Sequence, residues 1–286
     1  MKTKKTKTVS RIGFMQGRLS PQVDGKIQAF PWSHWKTEFA VARELGLSLM
    51  EWTIDQDRLH ENPLMCKDSR ETIRAHMENY SLRIPSLTAD CFMQAPFWKA
   101  QGLVRDELVR DFEAVIDACR CLDVQFVVVP LVDNGRLESR AHEDCLVRML
   151  GEMAPSLSDW GVKVVFECDY RPLELARLMD RLDQNAFGVN YDIGNSAALG
   201  FDPREELLSY GERILNVHVK DRLHGGTTVP LGDGNADFEK VFAGLGSLGY
   251  RGNYIMQTAR ASDGQHAAAL ERYLNMTVDW IERYDA

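Results

Sequence analysis

Eight short apolar runs recur along the chain, and their spacing constrains the fold more than any other feature of the sequence. Successive runs begin 24 to 42 residues apart, which leaves room for one helix after each strand. The apolar residues within a run are nearly continuous rather than alternating, as is typical of parallel strands that are covered on both faces. The eight predicted strands are 11–17, 49–54, 84–90, 126–131, 163–169, 187–195, 214–221 and 252–258.

Amphipathic patterns lie between these runs and predict one helix after each strand. No Pro/Gly/Ser-rich linker divides the 286 residues. Residues 13–17 lack the glycine spacing of a phosphate-binding turn, which argues against an open doubly wound sheet. We therefore predict an α/β fold, a single (β/α)8 TIM barrel over residues 9–286. A disordered basic tail, residues 1–8, is predicted to precede it.

Composition excludes several classes of function. The chain carries 34 Lys and Arg against 42 Asp and Glu, a net charge of −8, so we expect it not to bind nucleic acid. No stretch approaches the length of apolar sequence that a membrane span requires, so we expect no membrane partner. Six scattered cysteines, with no apolar stretch behind the basic N-terminus, predict a reduced, cytoplasmic protein.

The carboxyl ends of the predicted strands carry the candidate chemistry, because barrel active sites are built there. Glu167, Asp192 and His218 each follow an apolar run, where a polar side chain is costly without a partner. Two carboxylates and an imidazole at one barrel mouth suit one divalent metal ion, Mn, Mg, Co or Zn. The alternative is that these residues form ion pairs with neighbours such as Lys220 or Arg260.

Four short motifs stand at or after the ends of predicted strands: IGFMQGR at 12–18, YDIGN at 191–195, HVKD at 218–221 and PLGDGNADF at 230–238. With these motifs the chain resembles the xylose isomerase-like TIM-barrel superfamily, and within it the sugar phosphate isomerase/epimerase branch. The resemblance implies one divalent ion held by Glu, Asp, His and Glu from strands five to eight, and it assigns the first three to Glu167, Asp192 and His218. The fourth position falls on Gln257, a neutral side chain that can offer a carbonyl oxygen to a metal but cannot act as a base.

The same resemblance implies an isomerase or epimerase of a sugar or sugar phosphate that depends on a divalent metal. The reaction removes a proton next to a carbonyl through an enediolate, with Glu167 as the catalytic base. Family epimerases use two opposed glutamates, and the second position here is Gln257. Either the reaction needs only one base, as an aldose–ketose isomerisation does, or a second acid comes from elsewhere, such as Glu51, Asp90 or His224.

We expect the substrate, a small sugar or a sugar phosphate, to contact polar side chains at the strand ends. No Gly-rich anion cradle is present, so the basic residues there either bind a phosphate or neutralise the carboxylates. Barrels of this family commonly dimerise, which makes a homodimer an expectation of the resemblance. The predicted substrate contacts are Gln16, Arg18, Glu51, Asp90, Asn195, Lys220, Asp221, His224 and Arg260.

Three other functions fit parts of the same pattern. A barrel that has lost the strand-eight glutamate can bind a sugar without converting it, and a metal-dependent keto-polyol dehydratase also needs only one base and one ion. Abasic-site endonucleases of the same superfamily have a three-metal site with additional histidines. The segments that correspond to those histidines contain none here: 88–90, 130–133, 192–195 and 232–235.

Overall fold

The computed structural model describes residues 8–284, and its centre is a closed barrel of eight parallel strands. The barrel strands are β1 (Ile12–Met15), β2 (Leu49–Ile54), β3 (Arg83–Ala89), β4 (Phe126–Leu131), β5 (Lys163–Cys168), β6 (Phe187–Asp192), β7 (Ile214–Val219) and β10 (Asn253–Met256). Two short strands, β8 (Asp221–Arg222) and β9 (Thr228–Val229), form an antiparallel pair of their own. The barrel strands follow one another in chain order, and β10 closes the sheet against β1. The predicted TIM barrel is confirmed.

Helices connect the strands on the outside of the barrel. They are α1 (Trp35–Glu44), α2 (Lys67–Tyr80), α3 (Asp90–Gln94), α4 (Gly102–Cys121), α5 (Arg140–Trp160), α6 (Pro172–Met179), α7 (Ile193–Leu199), α8 (Pro203–Tyr210), α9 (Phe238–Ser247) and α10 (His266–Tyr284). The consecutive residues Val127, Val128 and Val129 are all fully buried, as expected for a strand with the barrel interior on one face and helices on the other. Among the residues described, no helix has the length and apolar character needed to cross a membrane.

The predicted N-terminal tail, residues 1–8, lies outside the described residues except for Thr8. Thr8 is buried, and its carbonyl oxygen accepts a hydrogen bond of 3.1 Å from the backbone amide of Arg11. The described part of the chain thus begins at the last residue of the predicted tail, and the tail itself stays a prediction. The extent of the single domain, residues 9–286, stays a prediction, and residues 285–286 lie outside the described part.

The strand order brings the predicted ligand positions together. β5, β6, β7 and β10 are consecutive neighbours in the barrel, and the register places Asp192 beside His218. Because all eight strands are parallel, their carboxyl ends meet at one rim. Glu167, Asp192, His218 and Gln257 therefore come from four adjacent strand ends on the same side of the barrel.

Candidate active site

Glu167, Asp192 and His218 form a buried cluster at this rim. One ligand atom from each lies within 4.8 Å of the others. Nδ1 of His218 lies 3.1 Å from a carboxylate oxygen of Glu167 and 3.8 Å from one of Asp192. Ligands that share one ion at about 2.0–2.2 Å lie about 3–4 Å apart, so the cluster fits a single divalent ion. The structure thus brings together the three side chains that the sequence predicted to converge.

The orientation of His218 is set by Glu51. Nε2 of the imidazole lies 2.7 Å from Oε1 of Glu51, whose carboxylate is fully buried and also accepts hydrogen bonds from Ser86 (2.6 Å), Thr88 (2.5 Å) and Asn216 (2.9 Å). Metal-binding histidines usually donate their second ring N–H to such a carboxylate. Protein donors reach both oxygens of Glu51, and the predicted contact of Glu51 with the substrate stays a prediction.

Charges inside the barrel shift the protonation of this pair. Burial raises the pKa of Glu51, but the charge of His218 and the hydrogen bonds that Glu51 accepts from His218, Ser86 and Thr88 lower that pKa below its usual value. Burial lowers the pKa of His218, whereas the carboxylate of Glu51 and hydrogen bonds to Asp192 and Glu167 raise it well above its usual value. When Nδ1 of His218 carries no proton, it and the carboxylates of Glu167 and Asp192 are acceptors that face one another, an arrangement that favours a proton or a metal ion among them.

Two asparagines, which sequence reasoning missed, complete the polar layer inside the barrel. The side-chain amide of Asn216 donates a hydrogen bond of 2.8 Å to Oδ1 of Asn190. The side-chain nitrogen of Asn190 in turn donates a hydrogen bond of 3.2 Å to Glu167 and lies 3.0 Å from Nδ1 of His218. Each asparagine precedes a cluster residue by two positions, so strand alternation places it on the same inward face. That signal was present in the sequence as a lone polar residue within an apolar run.

Lys220 lies between Asp192 and Gln257. Its ammonium group donates to Asp192 (3.1 Å), Asn195 (3.2 Å) and the carbonyl oxygen of Gln257 (3.2 Å). Burial raises the pKa of Asp192, but Lys220 and then His218 outweigh it and hold that pKa at about 2. The alternative interpretation, an ion pair with Lys220, therefore applies to Asp192, and metal binding by Gln257 stays a prediction.

Of the predicted substrate contacts, Asn195 contacts the cluster, and Asp90 lies close enough for the charges of Glu167, His218 and Lys220 to act on its pKa. The side-chain amide of Asn195 donates 2.5 Å to Oε1 of Glu167, and its oxygen accepts from Arg222 at 2.7 Å as well as from Lys220. Asp90 is 8% exposed, at the carboxyl end of β3. Substrate contact by these residues and by Lys220 stays a prediction.

Arg18 and Arg260 are held by backbone carbonyls instead of facing the carboxylates. Arg18 donates to the carbonyls of Thr258 (2.8 Å) and Ile27 (3.0 Å), and burial lowers its pKa to about 9, so it stays charged at neutral pH. Arg260 donates to the carbonyls of Ser20 (2.7 Å) and Ile27 (3.1 Å). Neither forms an ion pair with the cluster, and both tie the loop after β1 to the end of β10.

The remaining predicted contacts, Gln16, Asp221 and His224, differ in burial and in their hydrogen-bond partners. Gln16 is fully buried, and its Oε1 accepts from the backbone amide of Thr53 at 3.1 Å. The carboxylate of Asp221 accepts three backbone amides, at 2.8 to 3.1 Å, from residues 232, 234 and 236, and so holds the loop that follows β9. His224 is exposed on the β8–β9 loop. Substrate contact by Gln16, Asp221 and His224 stays a prediction.

Sequence comparison finds one matching family model and several curated relatives. The family model described as "Xylose isomerase-like TIM barrel" matches residues 39–283. The chain is 24% identical over 258 residues to the L-ribulose-5-phosphate 3-epimerase UlaE of Salmonella heidelberg (strain SL476), which covers 87% of this chain and 89% of that enzyme.

Comparison with solved structures supports the same architecture. The IolI protein with a binding zinc atom superposes with a TM-score of 0.74 at 16% identity, covering 96% of this chain and 99% of that one. A D-tagatose 3-epimerase-like protein gives 0.73 at 18% identity, covering 96% of this chain and all of that one (100%). At these identities the likeness shows the fold.

Proposed function

The chain belongs to the xylose isomerase-like TIM barrel family, and on that premise we propose that it is a metal-dependent epimerase or isomerase of a ketose or ketose phosphate. The observation that carries the proposal is the buried Glu167–Asp192–His218 cluster at the barrel mouth. The similarity to an L-ribulose-5-phosphate 3-epimerase supports the substrate class. A cytoplasmic location and a homodimer are part of the proposal.

Glu167, Asp192 and His218 would hold the divalent ion. When bound, such an ion polarises the carbonyl and hydroxyl oxygens of the sugar and so acidifies the adjacent C–H bond. Glu167 removes that proton, and the electron pair of the C–H bond moves toward the carbonyl to give the enediolate. Asn195 and Asn190 each donate to one oxygen of Glu167, which fixes the plane of the carboxylate toward the substrate.

Position 257 sets how tightly the ion is held. Replacing Gln257 with glutamate should tighten Mn²⁺ binding by about tenfold, because a carboxylate adds a full negative charge to the ligand set. Isothermal titration calorimetry measures the Kd directly. The matched control is Gln125→Glu at an exposed position before β4, which should leave the Kd unchanged. An unchanged Kd in the Gln257 variant would mean that this side chain does not face the ion.

Hydrogen exchange in D₂O tests the proposed function. L-ribulose 5-phosphate, L-ribulose and D-tagatose are incubated with the Mn²⁺-loaded protein and followed by NMR and mass spectrometry. We expect one deuterium to enter at the carbon next to the carbonyl of one of these sugars, and a chelator to abolish the exchange. The ratio of rates for L-ribulose and its 5-phosphate reports whether a phosphate is recognised.

The same experiment separates the alternative functions. A sugar-binding barrel without catalysis would bind these sugars but exchange no hydrogen. A keto-polyol dehydratase would release water, which mass spectrometry detects, whereas an epimerase or isomerase conserves the composition of the sugar apart from deuterium.

A further inference from the structure

Inversion at a carbon atom requires one group that removes a proton and a second that delivers a proton to the opposite face. In the proposed function Glu167 fills the first role. Gln257 cannot fill the second, because a side-chain amide does not exchange a proton with carbon at neutral pH. The second group is therefore to be sought among the other carboxyl groups at the rim.

Most of these carboxylates are already held by protein donors. Glu51, Asp192 and Asp221 accept the hydrogen bonds described above. Asp55, at the end of β2, accepts a backbone amide at 3.0 Å on one oxygen and a glutamine side chain at 2.9 Å on the other. All four groups therefore have hydrogen-bond partners within the protein.

Asp90 differs from them. It is more than nine-tenths buried, and its carboxyl group has no hydrogen bond or ion pair within residues 8–284. Ser86 and Thr88 face the interior of the barrel, where both donate to Glu51. Alternation along β3 places Asp90, two residues further on, at the rim above them.

β3, which Asp90 follows, lies at a different place around the barrel from the strands that carry Glu167, Asp192 and His218. β3 is separated from β5 by β4, on the side away from β6 and β7. A sugar held by the ligands of β5, β6 and β7 is therefore reached by Asp90 from a different side than by Glu167.

Burial and the nearby carboxylates favour the protonated form of Asp90. Burial raises the pKa of Asp90 well above its usual value, and the carboxylates of Asp55 and Glu167 raise it further. Active sites that run acid and base chemistry together use two carboxyl groups of which one is neutral and the other ionised. The charged side chains that act on Asp90 are Asp55, Glu167, Lys220, His218 and Arg18.

We propose that Asp90 is the second catalytic residue, which exchanges a proton with the face of the substrate opposite Glu167; this inference rests on the proposed function. After Glu167 has removed its proton, the carboxyl group of Asp90 gives its own proton to the same carbon from the other side. A new C–H bond forms and the carbonyl is restored. Glu167 is then protonated and Asp90 ionised, and proton exchange with water returns both to their starting states.

The experiment compares Asp90→Asn with the wild type in D₂O, using L-ribulose 5-phosphate and its C3 epimer. We expect interconversion to fall at least about 100-fold. Deuterium should still enter the epimer whose proton Glu167 removes, and should no longer enter the other. Asp133→Asn, an exposed carboxylate just after β4, is the matched control and should leave both rates unchanged.

Two results would overturn the assignment of Asp90: interconversion at the wild-type rate in Asp90→Asn, or a parallel loss of exchange from both epimers. A wild-type protein that exchanges hydrogen with none of the three sugars named above would instead overturn the proposed function, and the assignment of Asp90 with it.

Thermal stability separates proton transfer from a structural role. Because the pKa of Asp90 is raised in the folded protein, ionisation above about pH 4 costs stability, and the cost grows until the pH passes the folded-state pKa. Asp90→Asn should therefore raise the Tm, by more at about pH 8 than at about pH 4. A lower Tm at both pH values would indicate a structural role and contradict the assignment.

Discussion

Replacing Glu167 with glutamine should lower kcat by about 10²- to 10⁴-fold, because the amide cannot take the proton from carbon. The substitution keeps the size of the side chain and one oxygen for the ion. Asn190 and Asn195, which donate to the carboxylate, keep one acceptor between them. Initial rates of sugar interconversion at saturating Mn²⁺ measure the effect.

The metal content of the Glu167 variant has to be measured alongside its rate, since the same residue is predicted to bind the ion. Inductively coupled plasma mass spectrometry gives the ion per chain before and after the assay. Full turnover by Glu167→Gln at the wild-type metal content would show that another residue is the base. A loss of activity that parallels the loss of metal would leave Glu167 as a ligand only.

Glu51→Gln is expected to weaken Mn²⁺ binding by about 10- to 100-fold although Glu51 touches no ion, which is the usual cost of losing the partner of a metal-binding histidine. The carboxylate lies 2.7 Å from Nε2 of His218 and fixes which ring nitrogen faces Glu167 and Asp192. A glutamine at position 51 can accept from His218 only in one of its two orientations. Calorimetric titration with Mn²⁺ measures the change.

Glu143→Gln is the matched control for Glu51, because it also removes a buried carboxylate but lies outside the barrel. The carboxylate of Glu143 accepts a hydrogen bond of 2.8 Å from Arg177 and one of 3.3 Å from Tyr170. We expect this variant to lower the Tm and leave the Mn²⁺ affinity unchanged. Equal affinities for wild type and Glu51→Gln would refute the positioning role of Glu51.

The fold and the Glu167–Asp192–His218 cluster could be predicted from the sequence because both follow from a pattern that recurs along the chain. Buried parallel strands need apolar side chains on both faces, so runs such as 126–131 stand out. Glu167, Asp192 and His218 interrupt such runs at equivalent positions near the strand ends. Parallel strands in chain order then bring them to one rim without further information.

The roles of the other polar residues depend on which partner each one meets, and that is a property of the tertiary structure. Glu51 and Asp90 both follow apolar residues of early strands, yet Glu51 is surrounded by donors whereas Asp90 has none among the residues that the structure describes. Arg18 and Arg260 donate to backbone carbonyls far away in the sequence, which no local pattern indicates, and their predicted contact with the substrate stays a prediction. Asn190 was not predicted as a site residue because a single polar side chain within an apolar strand does not by itself indicate a function.

The contacts of Arg18 and Arg260 also bear on biosynthesis. Arg18 donates to Thr258, Arg260 donates to Ser20, and β1 pairs with β10, so the first and the last barrel strand close the sheet together. A ribosome has to release all eight barrel strands before that closure can form. Until then the nascent sheet has two unpaired edges, which are prone to aggregation and are natural targets for chaperones.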